Sequence, residues 1–123
     1  MIQYQQAGFP AIWCETAEPD RTTADLRVEL KADDVQVFTW DLLQGVRDAQ
    51  GRSVSGTDPI EALTWLGDTA PKPCVLVCSL LHRLTSSPEV QQALIGGAPI
   101  WKASDCMLVV LVPPGVRPPA ELE

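Results

Sequence analysis

The chain's one histidine, His82, sits just past an apolar run that begins at Cys74 and contains Cys78 and Ser79. A histidine within reach of a thiol or hydroxyl is the arrangement of nucleophilic catalysis, with the imidazole as base and a carboxylate such as Glu15 or Glu18 to orient it. That constellation would describe a small hydrolase or transferase. Against it, a cysteine nucleophile needs an electropositive and accessible site, whereas Cys78 lies in an apolar strand of an acidic chain. A structural or interface histidine is the stronger reading, and no catalytic residue is assigned.

Nucleotide chemistry fares no better. A phosphate cradle after the first strand needs GxxxxGK[ST], because backbone N–H groups and a lysine must meet the phosphates. After Cys14 the chain instead reads Glu15-Thr16-Ala17-Glu18, which offers two carboxylates and no glycine. Where magnesium would need a carboxylate, past the strand from residue 74, stand Ser79, Leu80 and Leu81. GxGxxG is absent, and Gly96-Gly97 follows a helix, where two glycines read as a turn. Nucleotide binding without hydrolysis is a further alternative that Glu15 and Glu18 oppose by charge.

Cys74 and Cys78 are four apart, so on one strand they face the same side about 13 Å apart at roughly 3.3 Å per residue. That excludes a disulfide or a shared metal ion between them. Cross-strand pairing stays open, and free core thiols are the simpler reading for all four cysteines. No metal or cofactor is expected.

The elements that must position these groups follow from pattern. Residues 74–80 and 106–112 are apolar runs of strand length, the signature of strands buried on both faces of a parallel sheet. Residues 11–14 form a short strand, and 35–40 alternate as an edge strand would. Helices are expected from Pro19 to about Lys31, from Pro59 to Gly67 behind an Asp58 cap, and from Pro88, the last interrupted at Gly96-Gly97-Ala98-Pro99. Residues 48–56 read as an exposed excursion. The alternation gives an α/β fold of three layers, a mostly parallel four-stranded sheet flanked by helices with right-handed crossovers. Residues 1–117 are expected to form a single domain, and 118–123 a proline-rich acidic tail.

With 123 residues the chain suits one compact domain. Its net charge of -7 lacks the basic footprint that nucleic acid or an anionic membrane would require. It has no secretory signal pattern and no apolar run long enough to span a bilayer, so the cytoplasm is the expected compartment. Trp101, beside the paired glycines, is expected to be exposed. With Arg83 on one rim it would make a protein contact site.

Short blocks in order resemble the amino-terminal domain of AAA-family ATPases of cyanobacteria, chloroplasts and many bacteria, in which a degenerate RecA-like domain precedes the ATPase domain. They are Ile12-Trp13-Cys14-Glu15-Thr16 with Glu18 and Arg21, Val37-Phe38-Thr39-Trp40-Asp41 with Gly45, and Asp58-Pro59-Ile60-Glu61-Ala62-Leu63 with Trp65-Leu66. Val75-Leu76-Val77 then leads to His82-Arg83-Leu84 and Pro88-Glu89-Val90, and Pro118-Pro119-Ala120-Glu121-Leu122-Glu123 is similar to the linker before those ATPase domains. Where the family usually has Asp-Phe-His, this chain has Leu80-Leu81-His82, and the ATPase domain does not follow within the 123 residues. The resemblance implies a degenerate P-loop scaffold acting as a non-catalytic protein-binding module. Its expected partner is an AAA ring or that ring's client, and its candidate contact residues are Glu15, Glu18, Arg21, His82, Arg83 and Trp101. The oligomeric state is left open.

Overall fold

A computed structural model describes residues 11–71, 73–79 and 87–115. The elements run β1 (Ala11–Glu15), α1 (Pro19–Lys31), β2 (Gln36–Asp41), β3 (Gly45–Arg47), β4 (Ser53–Ser55), α2 (Pro59–Asp68), β5 (Cys74–Ser79), α3 (Pro88–Ala103) and β6 (Cys106–Val112). Residues 118–123, the expected tail, lie outside the described residues.

The strands form one six-stranded sheet in the order β1-β6-β5-β2-β3-β4. β1, β6, β5 and β2 pair in parallel, and β3 and β4 add an antiparallel hairpin to β2. The α/β three-layer expectation holds, but the sheet has six strands rather than four. Of the two extra strands, β4 lies within the expected excursion and β3 just before it, and together they cover β2, so residues 35–40 are not the edge. Gly45 starts that hairpin at φ +70, and a Cβ there would meet the Gly56 backbone at 2.7 Å. Only glycine fits so close a turn.

Topology decides which face each helix covers. The crossover from β1 to β2 moves across the sheet in one direction, and those from β2 to β5 and from β5 to β6 move back. With right-handed connections the first helix must lie on one face and the other two on the opposite face. Leu26 and Leu30 of α1 accordingly pack with Val75, Val77, Met107, Val109 and Leu111. Leu63 and Leu66 of α2, with Val90, Leu94 and Trp101 of α3, pack over Leu76, Cys78, Leu108 and Val110. Successive strand residues alternate between the two cores. All of β6 and all of β5 but Ser79 are buried.

Local signals behave as their chemistry requires at α2, where Asp58 Oδ1 accepts the Ile60 N–H at 2.9 Å and Pro59 fills the first position. At α3 the Ser87 hydroxyl caps no backbone group and instead donates to Glu89 Oε2 at 2.8 Å, which helps hold the Glu89 carboxyl below its ordinary range. No described helix is long and apolar enough to cross a membrane.

Two expectations about α3 are overturned. The helix runs unbroken through Gly96, Gly97 and Pro99, and Trp101 is buried at 1% exposure rather than displayed. The glycines explain both. A Cβ at Gly97 would overlap the Trp101 indole, and a Cβ at Gly67 of α2 would lie 3.5 Å from the same ring. Trp101 therefore sits where two helices approach over glycine, and its burial offsets the low helix propensity of the paired glycines. Pro99 is tolerated on an exposed turn, where Ile95, whose carbonyl loses its helical partner, is also half exposed.

Adjacent glycines should consequently respond in opposite directions. Gly97→Ala is expected to cost about 1–3 kcal/mol through overpacking. Gly96→Ala, whose Cβ would meet nothing within 4 Å, should gain up to about 1 kcal/mol. Urea denaturation midpoints of the two variants check this, and equal shifts would contradict the packing of Trp101.

Candidate functional site

Parallel strands send their carboxyl ends to one rim, and in open α/β sheets that rim is where ligands are bound. Here the rim is formed by Glu15 of β1, Val112 of β6, Ser79 of β5 and Asp41 of β2. It divides into two chemically different halves.

The first half is the link from β1 to α1, only Thr16 to Glu18. Thr16 N donates to Val112 O at 2.8 Å, which extends the β1–β6 ladder past the strand. Thr16 Oγ1 accepts the Glu18 N–H at 3.0 Å and lies 2.8 Å from Thr22 Oγ1. Two backbone N–H groups of the link are thus spent within the chain. Glu15 Oε2 accepts from Gly115 N at 3.5 Å, tying down the turn after β6. Arg21 and Glu18 form an ion pair at 3.5 Å whose side chains are 75% and 66% exposed. Such a pair contributes little to stability and leaves both groups free to meet a partner.

Of the residues expected at the strand ends, Glu18 and Arg21 meet in this ion pair, while the Glu15 carboxylate turns to Gly115 N. Trp101 lies elsewhere, in the core beneath α2 and α3. His82 and Arg83 lie outside the described residues.

The second half was not foreseen. A cleft of about 560 Å³ lies between α1, the ends of β2 and β5 and the β3–β4 hairpin. Arg27 and Thr23 line it from α1, Thr39 and Asp41 from β2, Arg47 from β3 and Ser79 from β5. Asp41 Oδ1 accepts the N–H groups of Leu43 at 2.9 Å and Gln44 at 2.7 Å, closing the turn after β2. Asp48 Oδ1 does the same for Gln50 and Arg52, each at 2.9 Å. Arg47 Nη1 donates to Gly51 O at 2.6 Å, which fixes its guanidinium. The Nε atoms of Arg27 and Arg47 are buried without a hydrogen-bond partner. The signal in the sequence is slight: Arg27 follows the inward Leu26, and Arg47 follows Val46 just before the expected excursion.

Neither Cys78 nor Cys14 is an activated nucleophile. Burial pushes the Cys78 thiol far above its ordinary range, and burial followed by the neighbouring Glu15 charge raises that of Cys14. Cys74 and Cys106 face each other across β5 and β6 with sulfurs 3.7 Å apart, and Cys106 Sγ also lies 3.3 Å from Leu66 O. All four cysteines are free. Among the described residues no group of three or more histidine, cysteine or acidic side chains could hold a metal ion.

The family model described as "SpoVK-like AAA ATPase, N-terminal domain" matches residues 1–123. Comparison with the curated proteins and with the solved structures found no match.

Thiol labelling of the native protein with a disulfide reagent should reach Cys14 alone, with Cys74, Cys78 and Cys106 reacting only on unfolding. Because its pKa is raised, Cys14 should label more slowly than free cysteine near neutral pH, and its rate should climb at higher pH than the free thiol's. A fast-reacting Cys78 would contradict the burial described for β5.

Proposed function

Because the chain belongs to the SpoVK-like AAA ATPase N-terminal domain family, we propose that it is a non-catalytic module that binds protein, docking on an AAA ring or on that ring's client. One observation carries this reading. The link after β1, where a P-loop protein would wrap a triphosphate, has three residues, Thr16 to Glu18, flanked and filled by the carboxylates of Glu15 and Glu18. Its hydroxyl and two of its N–H groups already bond within the chain. A polyphosphate approaching there meets like charge and finds few free donors.

What the β1 end offers instead is a pair of exposed, opposite charges, Glu18 on a short link braced against the sheet and Arg21 in the first turn of α1. Such a pair supplies orientation and partner discrimination more than raw affinity. The cysteine version of the enzymatic alternative is weakened by the burial of Cys78. The same free and closely spaced thiols suit a reducing compartment, so we assign the protein to the cytoplasm. The cyanobacterial and chloroplast branch is the part of the AAA group we propose for it, on the blocks from Ile12 to Arg21 and from Val75 to Leu84.

Incubation with ATP and magnesium should release no phosphate above buffer, and turnover lost on changing His82 would overturn the reading. In a binding assay with a purified AAA ATPase ring of the same group, wild-type protein should be retained. The double charge reversal Glu18→Lys with Arg21→Glu should weaken retention at least tenfold while leaving the circular dichroism spectrum unchanged. Undiminished retention of that variant would remove the β1 end from the interface.

A further inference from the structure

The Arg27–Arg47 cleft is independent of the β1 end and has no part in the function proposed above. Its defining feature is two donors without acceptors. Arg27 Nε on α1 and Arg47 Nε on β3 are both buried and unpartnered, and both side chains line the same cavity of about 560 Å³. Two buried N–H groups that lack acceptors are uncommon, and each calls for a partner to complete it. Among the described residues neither guanidinium is held in an ion pair, although three aspartates also line the cleft. Two of those carboxylates are already committed, Asp41 to the turn after β2 and Asp48 to the hairpin loop. Arg47 is in addition pre-positioned by its bond to Gly51 O.

We propose that this cleft is a binding site for a small oxyanion, a phosphate- or carboxylate-bearing molecule whose oxygens accept from the guanidinium groups of Arg27 and Arg47, both of which line it. Guanidinium donors match the planar oxygen pairs of such groups and hold them with charge-assisted bonds. The volume falls in the range of small-ligand clefts, about 300–1,000 Å³. Thr23, Thr39 and Ser79 place hydroxyl-bearing side chains around the cavity. Asp20, from the first turn of α1, also borders the cleft and counters an anion. Selectivity therefore rests on the two guanidinium groups rather than on the helix terminus. The location suits a ligand, since Ser79 and Asp41 mark the carboxyl ends of two neighbouring parallel strands.

The test follows the side-chain Nε–H resonances of Arg27 and Arg47 by nitrogen-15 NMR in the full chain, which needs no protein partner or nucleotide. Inorganic phosphate forms one arm and malonate the other, each against sodium chloride at matched ionic strength. Saturable shifts of both resonances in either arm, absent with chloride, are expected, and the responding arm identifies the class of oxyanion. Arg27→Gln and Arg47→Gln, each confirmed folded by its amide spectrum, should weaken that binding at least tenfold. The proposal is overturned if neither anion moves the two resonances beyond the chloride control, or if a folded Arg27→Gln variant binds as tightly as wild type. Should a variant fail to fold, the wild-type titration against chloride decides alone.

Discussion

The fold depends on burying β5 and β6 on both faces at once. Every residue of β6, and every residue of β5 except Ser79, is removed from solvent. A strand of that kind cannot sit at an edge or against water, so it requires parallel neighbours on its flanks and helices above and below. α1 supplies one cover with little more than Leu26 and Leu30, and α2 with α3 supply the other. The chain path then has no freedom left. Right-handed crossovers fix which helix covers which face, and parallel pairing gathers the carboxyl ends of four strands on one rim.

The second cover is the more exacting. Trp101 is the largest side chain of α3 and is fully enclosed, and its place is opened by the absence of a side chain at Gly97, with Gly67 of α2 alongside. Helix propensity alone disfavours the stretch from Gly96 to Pro99, but the tertiary gain from burying an indole exceeds that local cost. The residues that look like a break are therefore a packing device. The same reasoning places Ile95 and Ile100 on the outer side of the helix, 54% and 49% exposed, while Trp101 points inward.

The rim then separates two chemistries that share one edge of the sheet. At β1 a short link consumes its own donors, and the link and the first turn of α1 expose an acidic and a basic side chain. At β2 and β5 the attached hairpin walls off a cleft with two buried guanidinium donors. A scaffold that keeps its parallel core while altering its rim can change function without changing fold, because the core residues point into the layers and the rim residues do not take part in them.

What the residues by themselves determined is the set of elements whose signal is local. The unbroken apolar runs at 74 and 106 require two-sided burial, and Asp58-Pro59 starts a helix because its oxygen and its missing N–H suit that position. The link after Cys14 lacks the groups that hold phosphate. The pairing of Glu18 with Arg21 was legible for the same reason, since the two stand three apart where the first helix begins. Only the tertiary structure decided the rest. Whether Gly97 breaks a helix or admits an indole depends on the core that α2 and the sheet offer to Trp101. Whether Arg27 and Arg47 share a cleft depends on a hairpin whose short, polar strands carry no strong pattern of their own. Burial and apposition are properties of chain segments distant in sequence, so neither can be inferred from the residues beside them.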